Sequence, residues 1–342
     1  MKAVTMNNQT TPDINTEPVG HYIHWPVLLY FTVLIICGLP GNTLILYIYH
    51  YRMKETIFGF FVQILATVDM TTIVISLPGS FVFRYFSTSL DGMRMCKFLI
   101  FMNHFNTLLS GILFSIIAFQ RYRKVCHPHG KQITKALARK LCLSGICLAF
   151  CLSLPIIFIV GVSKSPTLVG KKTYSVPTCD YEAHIKQKGD SVVYAVLVDA
   201  EFVGIAVFLI VVYSLIGNTL YKKMRANGNR SNFQKANHVK KTTKVFLMLT
   251  IVFLLSVFPL MIISTIFSLF PDPPKLSEIT LTLFDFGVYL PHVNCIANPV
   301  IYSFTSKQFR TECLSVCRVC RNQNSKTRAE ATSDSRTETT SM

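Results

Sequence analysis

Five polar side chains stand inside long apolar stretches of this sequence, where a polar group needs a partner. Asp69 is an ionisable residue among apolar neighbours, Asn106 and Ser110 are one helical turn apart, and so are Asn294 and Asn298. An ionisable group at membrane depth is costly and is therefore usually functional. The oxygens of these side chains suit a small hard cation. Hydrogen bonds between neighbouring helices are the alternative role for the same residues.

Signatures of catalysis and of zinc binding are missing from the sequence. There is no HExxH and no GxSxG motif, and the acids inside apolar stretches do not form a plausible catalytic pair. The eleven cysteines include no CxxC…CxxC spacing, and no histidine lies near the three at the C-terminal side. We therefore expect no enzyme activity and no cofactor. A small bound cation is the one exception that the polar residues suggest.

The composition is that of a membrane protein. Hydrophobic residues make up 51% of the 342 residues and charged residues only 15%, against about 25% charged residues in soluble domains. Seven apolar runs each contain a core of about 20 residues, the length that crosses a bilayer. Because the runs are unbroken rather than alternating, they predict helices and not barrel strands. The prediction is an all-α seven-transmembrane helix bundle with spans at 26–50, 57–83, 97–121, 136–161, 192–220, 243–270 and 279–304.

The positive charge is distributed unevenly along the chain. Of the net charge of +17, the segments 50–56, 121–140, 221–244 and 305–342 carry +19, whereas the alternate segments carry +2. Basic loops remain on the cytoplasmic side, so this pattern predicts an extracellular N-terminus. It also speaks against nucleic acid as a partner, because the basic residues are the inner flank of a membrane protein.

The orientation assigns the parts outside the seven-span domain, 26–304. We expect residues 1–25 to form an extracellular tail with a glycosylation sequon at Asn8, and we expect no signal peptide. Cys96 and Cys179 are the only cysteines in outer loops, where disulfides persist, and we expect them to be bonded. Residues 305–320 are expected to form a short amphipathic helix and 321–342 a disordered cytoplasmic tail. The juxtamembrane palmitoylation candidates are Cys313, Cys317 and Cys320.

Motifs in the right spans and order resemble those of the rhodopsin-like G-protein-coupled receptor family. The resemblance covers roughly residues 25–320. Within the family, the chain is most similar to the peptide-receptor branch, of which it looks like a divergent member. The motifs are Gly41-Asn42, Leu65-Ala66-Thr67-Val68-Asp69, Phe119-Gln120-Arg121-Tyr122, Asn298-Pro299-Val300-Ile301-Tyr302 and, after span seven, Phe309-Arg310.

The resemblance implies that Arg121 contacts a G protein once the helices open. In the family an acid usually precedes this arginine, and a second acid often lies at the inner end of span six. Here those positions hold Gln120 and Val239. We expect a less favoured inactive state and raised basal signalling, unless other packing compensates for the missing acids.

Other activation residues are partly retained. The resemblance implies that the two tyrosines Tyr213 and Tyr302 swing inward and that Pro259 and Pro299 act as hinges, with Phe253 retained in the core of span six. The resemblance also implies an allosteric sodium ion, because five polar residues match the family's sodium pocket: Asp69, Asn106, Ser110, Asn294 and Asn298. Two positions depart from the family pattern: Val257 replaces a tryptophan of span six, and Ile205 replaces a proline of span five. These departures put the family's usual activation trigger in doubt but not the fold.

The positions that mark two ligand classes in the family are changed. Asn103 replaces the carboxylate that pairs an amine, and His292 replaces the lysine of a retinal Schiff base. A long second outer loop, 162–191, is similar to the hairpin lid of peptide receptors. We therefore expect a neuropeptide, basic or amidated, although Asp199 and Glu201 could instead face lipid headgroups or the loop. The expected pocket is Asn103, His104, Thr107, Asp199, Glu201, Asp285, Tyr289 and His292.

The implied partners are a heterotrimeric G protein, arrestin, an extracellular ligand and the lipids of the plasma membrane. Arrestin would bind the tail after phosphorylation of its many serines and threonines. A receptor-like decoy that no longer couples is one alternative. A transporter is a weaker one, because the sequence lacks an internal repeat and has an odd number of spans.

Overall fold

The computed structural model describes residues 25–86, 91–169, 172–182, 185, 190–226, 230–269, 278–316 and 318. Within this part of the chain, six helices are long and apolar enough to cross a membrane. Span one is helix Trp25–Tyr47 followed by a π-helical turn, Ile48–Arg52. Span two consists of helix Ile57–Thr71, a π-helical turn Thr72–Ser76 and helix Leu77–Phe86. Span three is helix Asp91–Cys126, and span four is helix Lys135–Ser153 with a last turn, Ile156–Ile159. The others are Asp190–Ala226 and Arg230–Leu269.

The seventh span is divided. Helix Glu278–Tyr289 passes into a 3₁₀ turn, Leu290–Val293, and continues as helix Asn294–Thr305. Pro291 lies in that turn and has no backbone N–H to donate, which explains why the α-helix is interrupted there. The all-α fold predicted from hydropathy is confirmed, with one irregularity that hydropathy does not reveal.

Two other interruptions lie next to prolines. The π-helical turn of span two precedes Pro78, and the helix of span four breaks at Leu154 and Pro155. The predicted end of span four at residue 161 was wrong, because strand β1 begins at Val160. The helix resumes for one turn after Pro155, over Ile156–Ile159, before the chain enters β1.

The second outer loop contains a β-hairpin. Strands β1 (Val160–Val169) and β2 (Lys172–Tyr181) pair antiparallel, with Val162 opposite Cys179. Cys179 is bonded to Cys96 at the outer part of span three, which confirms the predicted disulfide. The hairpin is thereby fixed over the outer end of the bundle.

The bundle has a packed interior and an apolar exterior. Phe253, Tyr302 and Phe309 are buried in its inner half, whereas Leu255 and Phe258 on span six are mostly exposed. Exposed apolar side chains on a membrane span face lipid rather than water. Spans one and seven approach closely, because a Cβ placed on Gly41 would lie 2.7 Å from Pro299 Cγ.

The C-terminal segment after span seven is helical over residues 307–316. Phe309 is buried against Tyr49 and Tyr302, with ring centroids 6.2 and 6.3 Å apart. Arg52 pairs with Glu312 at 3.1 Å and holds the helix against the inner end of span one. Asn8, Cys317, Cys320 and residues 321–342 lie outside the described residues, so the predictions for them remain predictions.

Candidate ligand pocket and activation core

A small polar cavity lies in the middle of the bundle. Its volume is about 20 Å³, room for one water molecule or a small ion. Asp69, Asn106, Ser110 and Asn294 line it. Asn298 donates a hydrogen bond of 2.5 Å to the Asp69 carboxylate. The structure thus brings together the five polar residues that the sequence singled out.

The surroundings of Asp69 fit a monovalent cation. Asp69 is buried, and within the described part of the chain no basic side chain pairs with it. A buried carboxylate is stable only when neutralised by a proton or a counter-ion. Asn298, which donates to Asp69 through Nδ2, keeps its Oδ1 buried without a hydrogen-bond partner. The carboxylate and hydroxyl oxygens of Asp69 and Ser110 are the ligand type that a hard cation takes.

The outer part of the same cavity is formed by three predicted pocket residues: Asn103, Thr107 and His292. His292 Nδ1 lies 3.0 Å from the Tyr289 carbonyl, and Nε2 lies 3.3 Å from the Asn103 side-chain amide. The atom that faces Nε2 is the amide oxygen Asn103 Oδ1, and both neighbouring oxygens only accept, so a neutral ring with one N–H donates to one of them at a time. Spans three and seven are therefore joined directly above Asp69.

The acids of span five face the interior of the bundle, on two different sides. Asp199 accepts a hydrogen bond from Thr265 on span six. Glu201 Oε2 lies 3.8 Å from His104 Nε2 on span three. Of the two positions considered from the sequence, these contacts favour the bundle interior over the headgroups or the loop, because both acids reach neighbouring spans. Asp199 Oδ1 and Glu201 Oε2 nevertheless have no hydrogen-bond partner.

The two remaining pocket candidates are on the outer helix of span seven, where Tyr289 also contacts His292, with ring centroids 5.7 Å apart. Asp285 is half-buried on the outer helix of span seven. Tyr289 packs edge-on against Phe31 of span one, with ring centroids 4.9 Å apart. The eight predicted residues therefore divide between the three–seven, three–five, five–six and one–seven contacts rather than forming one cluster.

Sequence reasoning missed an ion pair at the outer end of the bundle. Lys97 Nζ lies 2.9 Å from Glu182 Oε1, which ties span three to the chain just after the hairpin. Lys97 follows Cys96 in sequence, and Glu182 is three residues after Cys179. The disulfide, once expected, was the signal that could have brought these two charges together.

At the inner end of span three, Arg121 is packed against residues of spans two and six. Arg121 is only 2% exposed and donates a hydrogen bond of 3.2 Å to Thr242 on span six. Its guanidinium carbon lies 5.6 Å from the ring centroid of Phe58 and 5.0 Å from that of Phe246. Gln120 is buried beside it. Phe58, Phe246 and Thr242 are residues that the sequence did not single out.

The other activation candidates lie along span six and the inner part of span seven. Thr250 and Tyr213 hydroxyls are 3.4 Å apart. The Phe253 ring contacts Phe114, and Val257 is buried in the core. Tyr302 is fully buried and its hydroxyl has no hydrogen-bond partner. Pro259 and Pro299 lie inside helices, as the hinge prediction requires.

Comparison with known proteins identifies the architecture. The sequence profile of the family described as 7 transmembrane receptor (rhodopsin family) matches residues 41–302. The chain belongs to this family. It is similar to neuropeptide FF receptor 2 of Rattus norvegicus, with 25% identity over 317 residues, which are 87% of this chain and 75% of the relative. The growth hormone secretagogue receptor type 1 of Sus scrofa is 24% identical over 286 residues, 81% of this chain and 76% of the relative.

Membership of the rhodopsin family decides against the enzyme and the transporter and leaves the receptor-like decoy as the remaining alternative. This is a multi-pass membrane receptor of the G-protein-coupled class and neither an enzyme nor a transporter. The matched range includes span seven, whose two helices are each too short to cross a bilayer alone. Six long helices and one divided helix therefore form the family's seven spans.

Proposed function

We propose that this chain is a plasma-membrane receptor, with its N-terminus outside, that binds a basic extracellular peptide and activates a heterotrimeric G protein. Both relatives named above are, by name, receptors for a neuropeptide and for a growth hormone secretagogue. The single observation that carries the ligand class is the pair of span-five acids, which point into the bundle with unsatisfied oxygens.

A cationic ligand group is the chemistry these acids favour. Asp199 Oδ1 and Glu201 Oε2 are buried, and a buried carboxylate oxygen without a donor is costly. A guanidinium or ammonium group would supply charge-assisted hydrogen bonds to either acid. The two acids face spans six and three respectively, and residues two apart on a helix point to opposite sides, so each acid would take its own cationic group.

The route from ligand to G protein follows the polar contacts through the bundle. A ligand that displaces His292 from Asn103 would act directly on the cavity that contains Asp69. Asp69 is bonded to Asn298, which precedes the Pro299 hinge and Tyr302. Movement of this part of span seven would change the packing around Arg121 and expose that residue to the G protein.

Three regulatory features complete the proposal. A sodium ion bound by Asp69, Asn106 and Ser110 would stabilise the resting state, with Asn294 and Asn298 beside it. Phosphorylation of the serine- and threonine-rich tail would create the anionic segment that arrestin recognises. Acylation of Cys313, which is half-buried on the helix after span seven, would anchor that helix to the inner leaflet.

The experiment is a screen of amidated peptides, with and without arginine or lysine, against cells that display the receptor. G-protein activation and arrestin recruitment are recorded in parallel. Active peptides should carry at least one cationic side chain, and Glu201→Gln should reduce their potency by roughly tenfold or more. Glu312→Gln, on the inner side, serves as the matched control and should leave potency unchanged.

Two results would overturn parts of the proposal. Activation by neutral peptides alone, unaffected by Glu201→Gln, would exclude the acidic subsite. Peptide binding with neither G-protein activation nor arrestin recruitment would favour the decoy alternative.

A further inference from the structure

The guanidinium of Arg121 is held without any acid. Within the described part of the chain no carboxylate lies within 4.0 Å of it, and Nε and Nη2 have no hydrogen-bond partner. A buried cation in such surroundings needs compensation from another source. Here the compensation comes from two aromatic rings, Phe58 of span two and Phe246 of span six. Their ring centroids lie 5.6 and 5.0 Å from the guanidinium carbon of Arg121. Both distances are within the range of cation–π attraction.

The two rings are fixed in place by other aromatic side chains. Phe58 and Phe246 contact each other, with ring centroids 5.2 Å apart. Phe58 also contacts Tyr302 of span seven at 6.5 Å and Tyr49 of span one at 6.2 Å. The faces presented to Arg121 therefore belong to a packed cluster and not to freely rotating side chains.

Span six carries two contacts to Arg121, one turn apart. Thr242 accepts the guanidinium hydrogen bond and donates its own to the Val239 carbonyl, 3.0 Å away. Phe246 is four residues further along the same helix face. Outward movement of the inner end of span six would break both contacts at once and leave Arg121 accessible from the cytoplasm.

We infer that Phe58, Phe246 and Thr242 form an uncharged latch that holds Arg121 in the resting state. This latch restrains Arg121 in place of the two acids of the family pattern, whose positions hold the neutral residues Gln120 and Val239 here. The inference rests on the proposed function, because the latch restrains the arginine that contacts the G protein. It also explains how the resting bundle keeps a buried cation without an ion pair.

The test compares substitutions that remove a ring with one that keeps it. Phe58→Leu and Phe246→Leu keep apolar volume but remove the π face, and each should raise basal G-protein activation roughly fivefold at equal surface expression. Phe58→Tyr should remain close to the parent chain, because Phe58 is only half-buried and the ring is retained. Phe61→Leu is the matched control, since Phe61 is a fully buried phenylalanine of the same helix and, in the described part of the chain, the rings in cation–π contact with Arg121 are those of Phe58 and Phe246.

A second readout separates the latch from coupling itself. Spin labels on Arg139→Cys and Lys241→Cys, both exposed at the inner ends of spans four and six, report the displacement of span six once other accessible cysteines are replaced by serine. The latch predicts a longer distance in both leucine variants and the parent distance in Phe58→Tyr. A longer distance without G-protein activation would support the latch and contradict the proposed function.

Two outcomes would overturn the latch. One is an unchanged distance and unchanged basal activity in both leucine variants. The other is an equal change in Phe61→Leu, which would show a general loosening of the core rather than loss of a specific contact with Arg121.

Discussion

His292 of span seven and Asn103 of span three are joined by a hydrogen bond of 3.3 Å at the outer wall of the cavity that contains Asp69. Substitution Asn103→Leu would leave His292 Nε2 buried without a partner. We expect this to cost about 1–3 kcal/mol of stability and to lower the melting temperature of the purified receptor. Ser144→Ala, on an exposed face of span four, is the control. Equal melting temperatures for Asn103→Leu and the parent would contradict the contact.

The cavity around Asp69 predicts a specific effect of sodium. Replacing NaCl by choline chloride at equal ionic strength should lower the melting temperature of the parent receptor, because only the smaller cation fits a cavity of about 20 Å³. Asp69→Asn should abolish this difference, and Ser110→Ala should reduce it. A parent receptor that melts identically in both salts would exclude the sodium site.

The ion pair between Lys97 and Glu182 predicts an effect on ligand exchange rather than on folding. Both side chains are about one-quarter to one-third exposed, so the pair should contribute less than about 1 kcal/mol to stability. Glu182→Lys should nevertheless loosen the end of the hairpin and speed dissociation of a peptide agonist. The reciprocal exchange, with Lys97→Glu added, should restore slow dissociation. Fast dissociation in the double variant would show that the pair is not the cause.

The neutral residue before Arg121 predicts a response to a restored acid. Gln120→Glu places a carboxylate beside the buried guanidinium and should lower basal G-protein activation by at least about twofold. The effect should be larger in the Phe246→Leu background, where the aromatic restraint is weakened. Basal activity that is unchanged in both backgrounds would show that the missing acid has no bearing on the resting state.

The positions of the spans could be predicted because each is a long apolar run, and hydropathy depends on composition alone. The Cys96–Cys179 bond could be predicted because only two cysteines fall in the loops that the distribution of positive charge assigns to the outer side. The polar cavity was also accessible, since Asp69 and its four partners are conspicuous among apolar neighbours. These features depend on residue type and on spacing along single helices.

The remaining features depend on how helices are rotated against each other. Phe58 and Phe246 are two of 26 phenylalanines, and nothing in the sequence marks them as the pair that faces Arg121. The inward direction of Asp199 and Glu201 was undecided for the same reason. The division of span seven at Pro291 was missed, because proline is common in membrane helices and does not always break them.

The central claim is that Arg121 transmits activation to a G protein. The direct measurement is basal G-protein activation in cells, normalised to surface expression, for the parent chain and for Arg121→Ala beside mock-transfected cells. The account predicts a parent signal above mock that falls to the mock level in Arg121→Ala. A parent signal that Arg121→Ala leaves unchanged would contradict it.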